Sequence, residues 1–210
     1  MNKTITTIAV TGGPCGGKSS LLTHVDRQLS RDGYRVFSIP ESATELILGG
    51  IKPFDGCMSM YEFQKFVFRM QFDKEALFHA AARIVPEDHI VIVCDRGILD
   101  NKAYVSDEEF QSLLALFGET EEEVRRAYDA VIHMVTTADG AEEAYTLSNN
   151  LARTETLDQA RALDRRAQLA WEGHDNLFVI DNSTGFDEKI QRAMDCIRTV
   201  LRQPVLSGTR

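Results

Sequence analysis

Short apolar runs alternate with longer amphipathic stretches along the chain. Five of the runs are rich in Val and Ile, as expected of strands. They are Thr4–Thr11, Arg35–Ile39, His89–Cys94, Ala130–Thr136 and Leu177–Ile180. Several of them are almost continuously apolar, which is typical of strands covered on both faces in a parallel sheet. The pattern therefore predicts a three-layer α/β fold, with helices on both faces of a parallel sheet.

The segments between these runs carry helix-start signals. At five places a Ser or Thr precedes a Glu or Gln by three positions, the spacing of a capping box, in which the hydroxyl accepts a hydrogen bond from a free backbone amide. The pairs are Ser42/Glu45, Ser59/Glu62, Ser106/Glu109, Thr120/Glu123 and Thr156/Gln159. The acidic runs Asp107–Glu109 and Glu119–Glu123 fall at two of these starts, where the helix dipole favours carboxylates. We therefore interpret both runs as structural and not as metal ligands.

Residues 61–83 form the longest predicted helix. Apolar residues such as Phe66, Phe72 and Phe78 occupy more than one of its faces. A helix of this kind is buried widely, either inside its own domain or against a second subunit. The sequence thus leaves open a homodimer formed through this long aromatic helix.

Composition limits the partners and the location of the protein. The 210 residues are 43% apolar and 26% charged, which is ordinary for a soluble globular domain. The net charge of −9 argues against nucleic acid or an anionic membrane as the main partner, because both select basic surfaces. No apolar run approaches the roughly 20 residues of a membrane span, and no secretory signal is recognisable, so we expect a cytoplasmic protein.

Residues 12–19 read GGPCGGKS and match the phosphate-loop pattern G-x-x-x-x-G-K-[ST] in full. The motif follows an apolar strand and precedes an amphipathic helix, which is the context that it requires. Its backbone amides would surround the phosphates, Lys18 would bridge the β- and γ-phosphates, and Ser19 would bind Mg²⁺. The candidate nucleotide-binding residues here are Gly12, Gly13, Pro14, Cys15, Gly16, Gly17, Lys18, Ser19 and Ser20.

Polar residues follow two other predicted strands. Asp95 ends an apolar strand, as a Walker B carboxylate does when it binds Mg²⁺ directly or through water, and Arg96 would add a bidentate phosphate donor. Glu41 follows the second strand, and the carboxyl ends of parallel strands face the ligand crevice. Glu41 is thus a candidate to orient a phosphate acceptor or to take its hydroxyl proton. The alternative is a helix-start residue ahead of Ser42.

Arginines are concentrated between residues 149 and 166. They are Arg153, Arg161, Arg165 and Arg166. One interpretation is a solvated helix with surface pairs such as Asp158/Arg161, which contribute little to stability. The other is a mobile lid that brings guanidinium groups to the transferring phosphate, with Arg153 as the best candidate. The sequence leaves both open.

With these motifs, the chain resembles P-loop kinase-like NTPases, and in particular a small AAA-like group. That group includes the nicotinamide riboside kinase domain of a bacterial NAD-biosynthesis regulator and the GTP-binding domain of a eukaryotic photoreceptor-channel translocation defect protein. The segments that carry the resemblance are GGPCGGKS at 12–19, PESATEL at 40–46, DRGILDNKAY at 95–104, ADGAEEAYTLSNNLARTET at 138–156 and VIDNST at 179–184.

The resemblance implies one P-loop domain over residues 1–210, of nucleoside- and nucleotide-kinase type, with a five-stranded parallel sheet. It also implies a helical lid at about 141–172 and a base-proximal loop at 181–184 in which Asn182 meets the nucleotide. The guanine-selecting pattern [NT]-K-x-D is absent, since Tyr104 stands where Asp is needed. ATP is therefore the expected nucleotide, with GTP as the alternative.

The expected function is a Mg²⁺-dependent phosphotransferase that acts on a small hydroxyl-bearing metabolite such as a nucleoside. Its catalytic residues would be Lys18, Glu41, Asp95, Arg96 and Arg153, and Ser19 and Asp95 would bind the metal. The alternative is a regulatory NTPase that binds ATP or GTP and signals to a protein partner. The identity of the acceptor is not encoded in any recognisable motif.

Overall fold

The computed structural model describes residues 3–53, 56–144 and 156–202. Five parallel strands form one sheet in the order β2-β3-β1-β4-β5. The strands are β1 Thr4–Thr11, β2 Arg35–Ile39, β3 His89–Asp95, β4 Ala130–Met134 and β5 Leu177–Ile180. The helices are α1 Lys18–Arg31, α2 Ser42–Leu48, α3 Met60–Ile84, α4 Asp107–Phe117, α5 Glu121–Arg126, α6 Leu157–Ala170 and α7 Phe186–Arg202, with 3₁₀ turns at Ile98–Ala103 and Glu142–Ala144.

The five predicted strands are confirmed, with small differences at two ends. β3 continues to Asp95, and β4 ends at Met134 instead of Thr136. In the register of the sheet, Val10 of β1 lies opposite Asp95, and Thr11 lies opposite His133. The three central strands therefore end together, and the loops that follow them meet at one edge of the sheet.

Two apolar layers cover the sheet, as the three-layer prediction requires. Along β1, Ile8 and Val10 pack with α1 and α7, whereas Ala9 packs with α3 and α4. This alternation follows from the two-residue period of a strand, which points successive side chains to opposite faces. Because both faces are covered, the central strands are buried along almost their whole length.

Four of the five predicted capping boxes are present, at Ser59, Ser106, Thr120 and Thr156. The prediction for Ser42 is wrong, because its hydroxyl is buried and donates a hydrogen bond of 3.0 Å to Oε1 of Gln71 in α3. The acidic runs lie in the first turns of α4 and α5, as predicted. Within the described ranges, no group of three or more His, Cys, Asp and Glu side chains is arranged to hold a metal ion.

The long helix α3 is buried along one face and partly exposed along another. Phe63 and Phe68 lie in the interior, whereas Phe66 is 49% exposed and Leu77 is 67% exposed. These exposed side chains are compatible with the predicted homodimer contact, which stays a prediction. Neither α3 nor any other helix in the described part of the chain is long and apolar enough to cross a bilayer.

The segment 141–172, expected to be a lid, is described only in part. Its helix α6 buries Ala160, Ala167 and Ala170 against the domain. Trp171 follows directly, is fully buried, and packs edge-on against Tyr128 with ring centroids 5.0 Å apart. The described part is therefore a packed helix. Arg153 lies outside the described residues.

Candidate functional site

The phosphate loop at residues 12–17 lies against the end of β4. A Cβ atom on Gly12, where φ is 127°, would be 2.1 Å from the carbonyl oxygen of Met134. A Cβ atom on Gly16 would be 2.3 Å from the same oxygen. No side chain fits at such distances, so both positions require glycine.

Lys18 begins α1 and points back into the loop. Its ammonium group donates hydrogen bonds to the carbonyl oxygens of Gly12, at 3.0 Å, and Gly13, at 2.8 Å. The Lys18 side chain is only 8% exposed. The loop that it contacts also forms one wall of an open cleft. Ser19 and Ser20 follow in the first turn of α1 and are exposed to that cleft.

The cleft has a volume of about 700 Å³ and lies above the carboxyl ends of the strands. Of the residues predicted to act in catalysis or metal binding, it brings together Lys18, Ser19, Glu41, Asp95 and Arg96. Further walls are formed by Ile47, Met60, Phe63, Gln64, Val67, Tyr104, Arg166 and Phe186. Asp95 at the end of β3 and residues of the loops after β1 and β2 thus converge with side chains from five helices, α1, α2, α3, α6 and α7.

Glu41 and Arg96 form an ion pair in this cleft. Nε of Arg96 donates to Oε1 of Glu41 at 2.5 Å, and Nη1 of Arg96 donates to the Gly12 carbonyl oxygen at 3.2 Å. Thr44 donates a further hydrogen bond to Glu41 at 2.6 Å. Burial by itself raises the pKa of Glu41, but the charges of Arg96 and Lys18 lower it to about 2. Glu41 is therefore ionised at neutral pH.

The pKa of Asp95 is shifted in the opposite direction from that of Glu41. Burial and the nearby charge of Glu41 raise the pKa of Asp95, although Lys18 and Arg96 oppose the shift. Its Oδ1 atom is buried and accepts no hydrogen bond from any residue that the structure describes. A buried carboxylate oxygen without a donor, in a cleft whose wall also includes Ser19, fits a site for a divalent cation.

The sequence analysis missed Asp164, which binds the phosphate loop from α6. Oδ1 of Asp164 accepts hydrogen bonds from the backbone amides of Gly13, at 2.6 Å, and Thr136, at 3.1 Å. Its Oδ2 lies 3.3 Å from Nε2 of the buried His133. A signal was present in the sequence, because Asp164 shares the buried face of α6 with Ala160, one turn earlier. A charged residue on such a face requires partners.

Asn182, expected to meet the nucleotide, is engaged within the protein. Its amide nitrogen donates to the carbonyl oxygens of Thr136, at 2.8 Å, and Asp139, at 2.6 Å. Its Oδ1 accepts from Lys189 at 2.7 Å, and Lys189 also donates to the Val135 carbonyl oxygen at 2.7 Å. Burial lowers the pKa of Lys189 to about 8. These hydrogen bonds of Asn182 hold the predicted base-proximal loop in place. The contact of Asn182 with a nucleotide stays a prediction.

The arginines of α6 have different surroundings. Arg161 pairs with Glu142 at 2.9 Å and with Asp158 at 3.0 Å on the surface, as the solvated-helix interpretation expects. Arg165 is exposed. Arg166 lines the cleft and donates to the Val105 carbonyl oxygen at 2.9 Å.

Comparison with known proteins gives a family and a fold. The AAA-domain family matches residues 7–189, most of the chain. No curated protein matches the chain significantly. Among solved structures, a deoxyadenosine kinase from M. mycoides with bound dATP is similar, with a TM-score of 0.60 and 15% identity over 92% of this chain and 99% of that chain. The predicted P-loop fold of the nucleoside-kinase type is thereby confirmed.

The Asp164 contacts predict an acid-sensitive contribution to stability. Burial raises the pKa of Asp164, but His133 and the amides of Gly13 and Thr136 lower it overall. The unfolded chain therefore binds more protons between the folded pKa and the unfolded value of about 3.9, so unfolding becomes easier as the pH falls through this window. We expect Asp164→Asn to lower the free energy of unfolding by about 1–3 kcal/mol at pH 7. On acidification, the free energy of unfolding of the variant should fall less than that of the wild type.

Urea unfolding of both proteins from pH 7 down to about pH 2 measures this effect, because the window lies below the unfolded pKa. Asp158→Asn is the matched control, since its side chain lies on the same helix and is 95% exposed. An Asp164→Asn protein with the wild-type pH slope would contradict the assignment.

Proposed function

This chain belongs to the AAA-domain family of P-loop NTPases, and from that premise we propose that it transfers a phosphoryl group from Mg-ATP to the hydroxyl of a small metabolite such as a nucleoside. The observation that carries the proposal is the ion pair of Glu41 and Arg96 beside the phosphate loop. A carboxylate held ionised beside the loop can orient the attacking hydroxyl group. GTP is the alternative phosphate donor.

The phosphate loop supplies the donor site in this proposal. Lys18 would exchange the carbonyl oxygens of Gly12 and Gly13 for the phosphate oxygens of the nucleotide. The exchange replaces neutral hydrogen-bond acceptors with charged ones, which makes stronger hydrogen bonds. Backbone amides at the start of α1 add the favourable end of the helix dipole.

Ser19 and Asp95 would hold the magnesium ion. The support for this assignment is the buried Oδ1 atom of Asp95, which has no hydrogen-bond donor within the described ranges. Binding a cation also offsets the burial and the repulsion from Glu41 that raise the pKa of Asp95. When bound, Mg²⁺ neutralises charge on the β- and γ-phosphates.

Glu41 would orient the acceptor hydroxyl and not act as a strong base. A pKa of about 2 makes its carboxylate a weak proton acceptor but leaves it ionised. A loose phosphoryl-transfer transition state demands little proton abstraction at first, so orientation is the larger contribution. Arg96, held by Glu41, would stabilise negative charge on the transferring phosphoryl group.

The acceptor side of the cleft supports a flat, partly apolar substrate. Its wall includes the apolar side chains of Met60, Phe63 and Val67 on α3, together with the amide of Gln64. Apolar walls with a few polar groups are typical of sites for small ligands. A nucleoside combines an apolar face, polar edges and hydroxyl groups, and so suits this wall.

We also propose that the chain acts as one domain and that Arg153 approaches the transferring phosphate from the lid at 141–172. Support comes from the place of α6, whose Arg166 and Leu163 line the cleft and whose Asp164 binds the loop. In this proposal, α6 is packed against the domain and the rest of the lid brings Arg153 to the phosphate. A guanidinium group in that position would add electrostatic stabilisation of the transition state.

The proposal predicts that a small acceptor stabilises the protein only together with nucleotide. Thermal unfolding is measured with a panel of nucleosides and sugars, with and without a non-hydrolysable ATP analogue and Mg²⁺. A ligand that binds only the folded protein raises its stability by RT ln(1 + [L]/Kd), so a true acceptor raises Tm beyond the analogue alone. Mass spectrometry with ATP then identifies the phosphorylated product. ATP hydrolysis without any such acceptor would favour the regulatory NTPase.

The metal assignment predicts that Asp95→Asn separates metal dependence from nucleotide binding. The carboxylate acts through the ion, so Mg²⁺ should strengthen ATP binding less in the variant, while affinity in EDTA changes little. Calorimetric titration under both conditions measures the two effects, with the exposed Asp139→Asn as control. Equal losses of ATP affinity with Mg²⁺ and in EDTA would mean that Asp95 has a structural role.

The orienting role predicts that Glu41→Gln impairs transfer but not ATP binding. Positioned groups of this kind contribute about 10²–10⁴-fold, so phosphorylation of the identified acceptor should fall by that factor while ATP binding persists. A regulatory NTPase with no acceptor should instead keep nearly normal ATP hydrolysis in the same variant. Initial rates with purified acceptor measure the loss of transfer, and the surface variant Glu122→Gln on α5 is the control. Transfer at the wild-type rate would remove Glu41 from the mechanism.

A further inference from the structure

The ion pair of Glu41 and Arg96 joins two loops that are 55 positions apart in the chain. The backbone of Arg96 is strained, because its φ is 70°, in the left-handed region that residues other than glycine rarely adopt. A conformation of this kind persists only where the surrounding contacts fix it. The geometry of the pair therefore depends on what holds the two backbones.

Gln71 of α3 contacts both loops. Its amide oxygen accepts a hydrogen bond of 3.0 Å from the hydroxyl of Ser42, the residue that follows Glu41. Its amide nitrogen donates to the backbone carbonyl oxygen of Arg96 at 3.2 Å. Gln71 is 3% exposed, so these hydrogen bonds are protected from water. One buried side chain thus connects the loop after β2 with the loop after β3.

Glu75, one turn further along α3, fixes the orientation of this amide. The nitrogen of Gln71 donates to Oε1 of Glu75 at 2.7 Å. A carbonyl oxygen and an ionised carboxylate only accept hydrogen bonds. The nitrogen of the amide must therefore face Glu75 and the Arg96 carbonyl oxygen, which leaves the amide oxygen for Ser42.

The same carboxylate also holds the far side of the turn that begins at Arg96. The hydroxyl of Tyr128 donates to Oε1 of Glu75 at 2.7 Å and accepts from the backbone amide of Ile98 at 2.9 Å. Gln71 and Glu75 thus fix the turn at both Arg96 and Ile98. Networks in which every buried polar group has a partner are rigid.

We infer that Gln71 is a positioning residue for phosphoryl transfer, which acts by holding the backbones of the ion pair formed by Glu41 and Arg96. Gln71 lies in the cleft wall, but its amide nitrogen has only two hydrogens, and Glu75 and Arg96 accept both. The amide therefore holds the protein and does not donate to a substrate. The step to catalysis rests on the proposed function, in which this ion pair orients the acceptor and stabilises the phosphoryl group.

The inference predicts a loss in kcat and not in binding. Gln71→Met keeps the length of the side chain but removes its hydrogen bonds. A displacement of about 1 Å near the reacting atoms can lower a rate by about 10²-fold, so kcat should fall by about that factor. KM for the acceptor and the affinity for Mg-ATP should change little. Initial rates are measured with adenosine, guanosine, cytidine, uridine and thymidine as acceptors.

Ser42→Ala is a second and milder variant, since it removes only one of the contacts of Gln71. It should lower kcat less than Gln71→Met does. Because both residues belong to one network, adding Ser42→Ala to Gln71→Met should lower kcat little further.

Nuclear magnetic resonance of the Arg96 side chain tests the geometry without any acceptor. Nε of Arg96 donates to Glu41 at 2.5 Å, so in the wild type its proton should resonate downfield and exchange slowly with water. Arg96→Lys identifies this resonance by its absence. In Gln71→Met, and to a smaller extent in Ser42→Ala, the resonance should move upfield and exchange faster.

Gln111→Met is the matched control, since Gln111 is exposed on α4 and its own side-chain hydrogen bond is 3.4 Å long. An unchanged Arg96 resonance in Gln71→Met, or in Ser42→Ala if the first variant does not fold, would overturn the inference. A shifted resonance with the wild-type kcat, or a raised KM as the main effect, would overturn it as well. A shifted resonance in a protein whose wild type phosphorylates none of the nucleosides would overturn the proposed transfer and leave the positioning of the ion pair intact.

Discussion

The position of the phosphate loop against β4 is the constraint on which the rest of the site depends. Gly12 and Gly16 leave no room for a Cβ atom beside the Met134 carbonyl oxygen, and Asp164 fixes the Gly13 amide from above. The loop is thus held by a strand on one side and a helix on the other. A loop fixed before ligand arrives has its amides already ordered, so binding phosphate costs little conformational entropy. Packing of α6 is therefore part of the nucleotide site and not only of the core.

Two carboxylates of the cleft, those of Glu41 and Asp95, have pKa values shifted in opposite directions. Arg96 hydrogen-bonds to Glu41, which helps to keep the pKa of Glu41 at about 2, whereas Asp95 is left with burial and repulsion and its pKa rises. A triphosphate would add further negative charge to this region. An additional cation at Asp95 then balances the carboxylate and the phosphates together, because neither Lys18 nor Arg96 is free of its other contacts. The protein's own charges thus favour the proposed metal site at Asp95.

Local signals predicted most of the fold, and tertiary contacts explain the exceptions. The strands were recognisable because buried parallel strands are continuous apolar runs, and Ser59 caps α3 through a partner three residues away. Ser42 has the same local pattern but binds Gln71, 29 positions along the chain. Asp164 and its partner Gly13 are 151 positions apart. Motifs predicted which residues meet in the cleft, but no local pattern specifies which buried charge is paired with which distant backbone.

The two sides of the cleft differ in what a substitution there would disturb. On α3, Phe63 lies in the cleft wall and is 3% exposed, on the same helix as the core residue Phe68. Changes to this wall therefore alter substrate shape and core packing together, because interiors are close-packed. Phe186 is half-exposed, so a change of its ring removes little buried surface from the folded protein. A substitution of Phe186 can thus alter the cleft wall with little loss of stability, whereas one of Phe63 also disturbs the core.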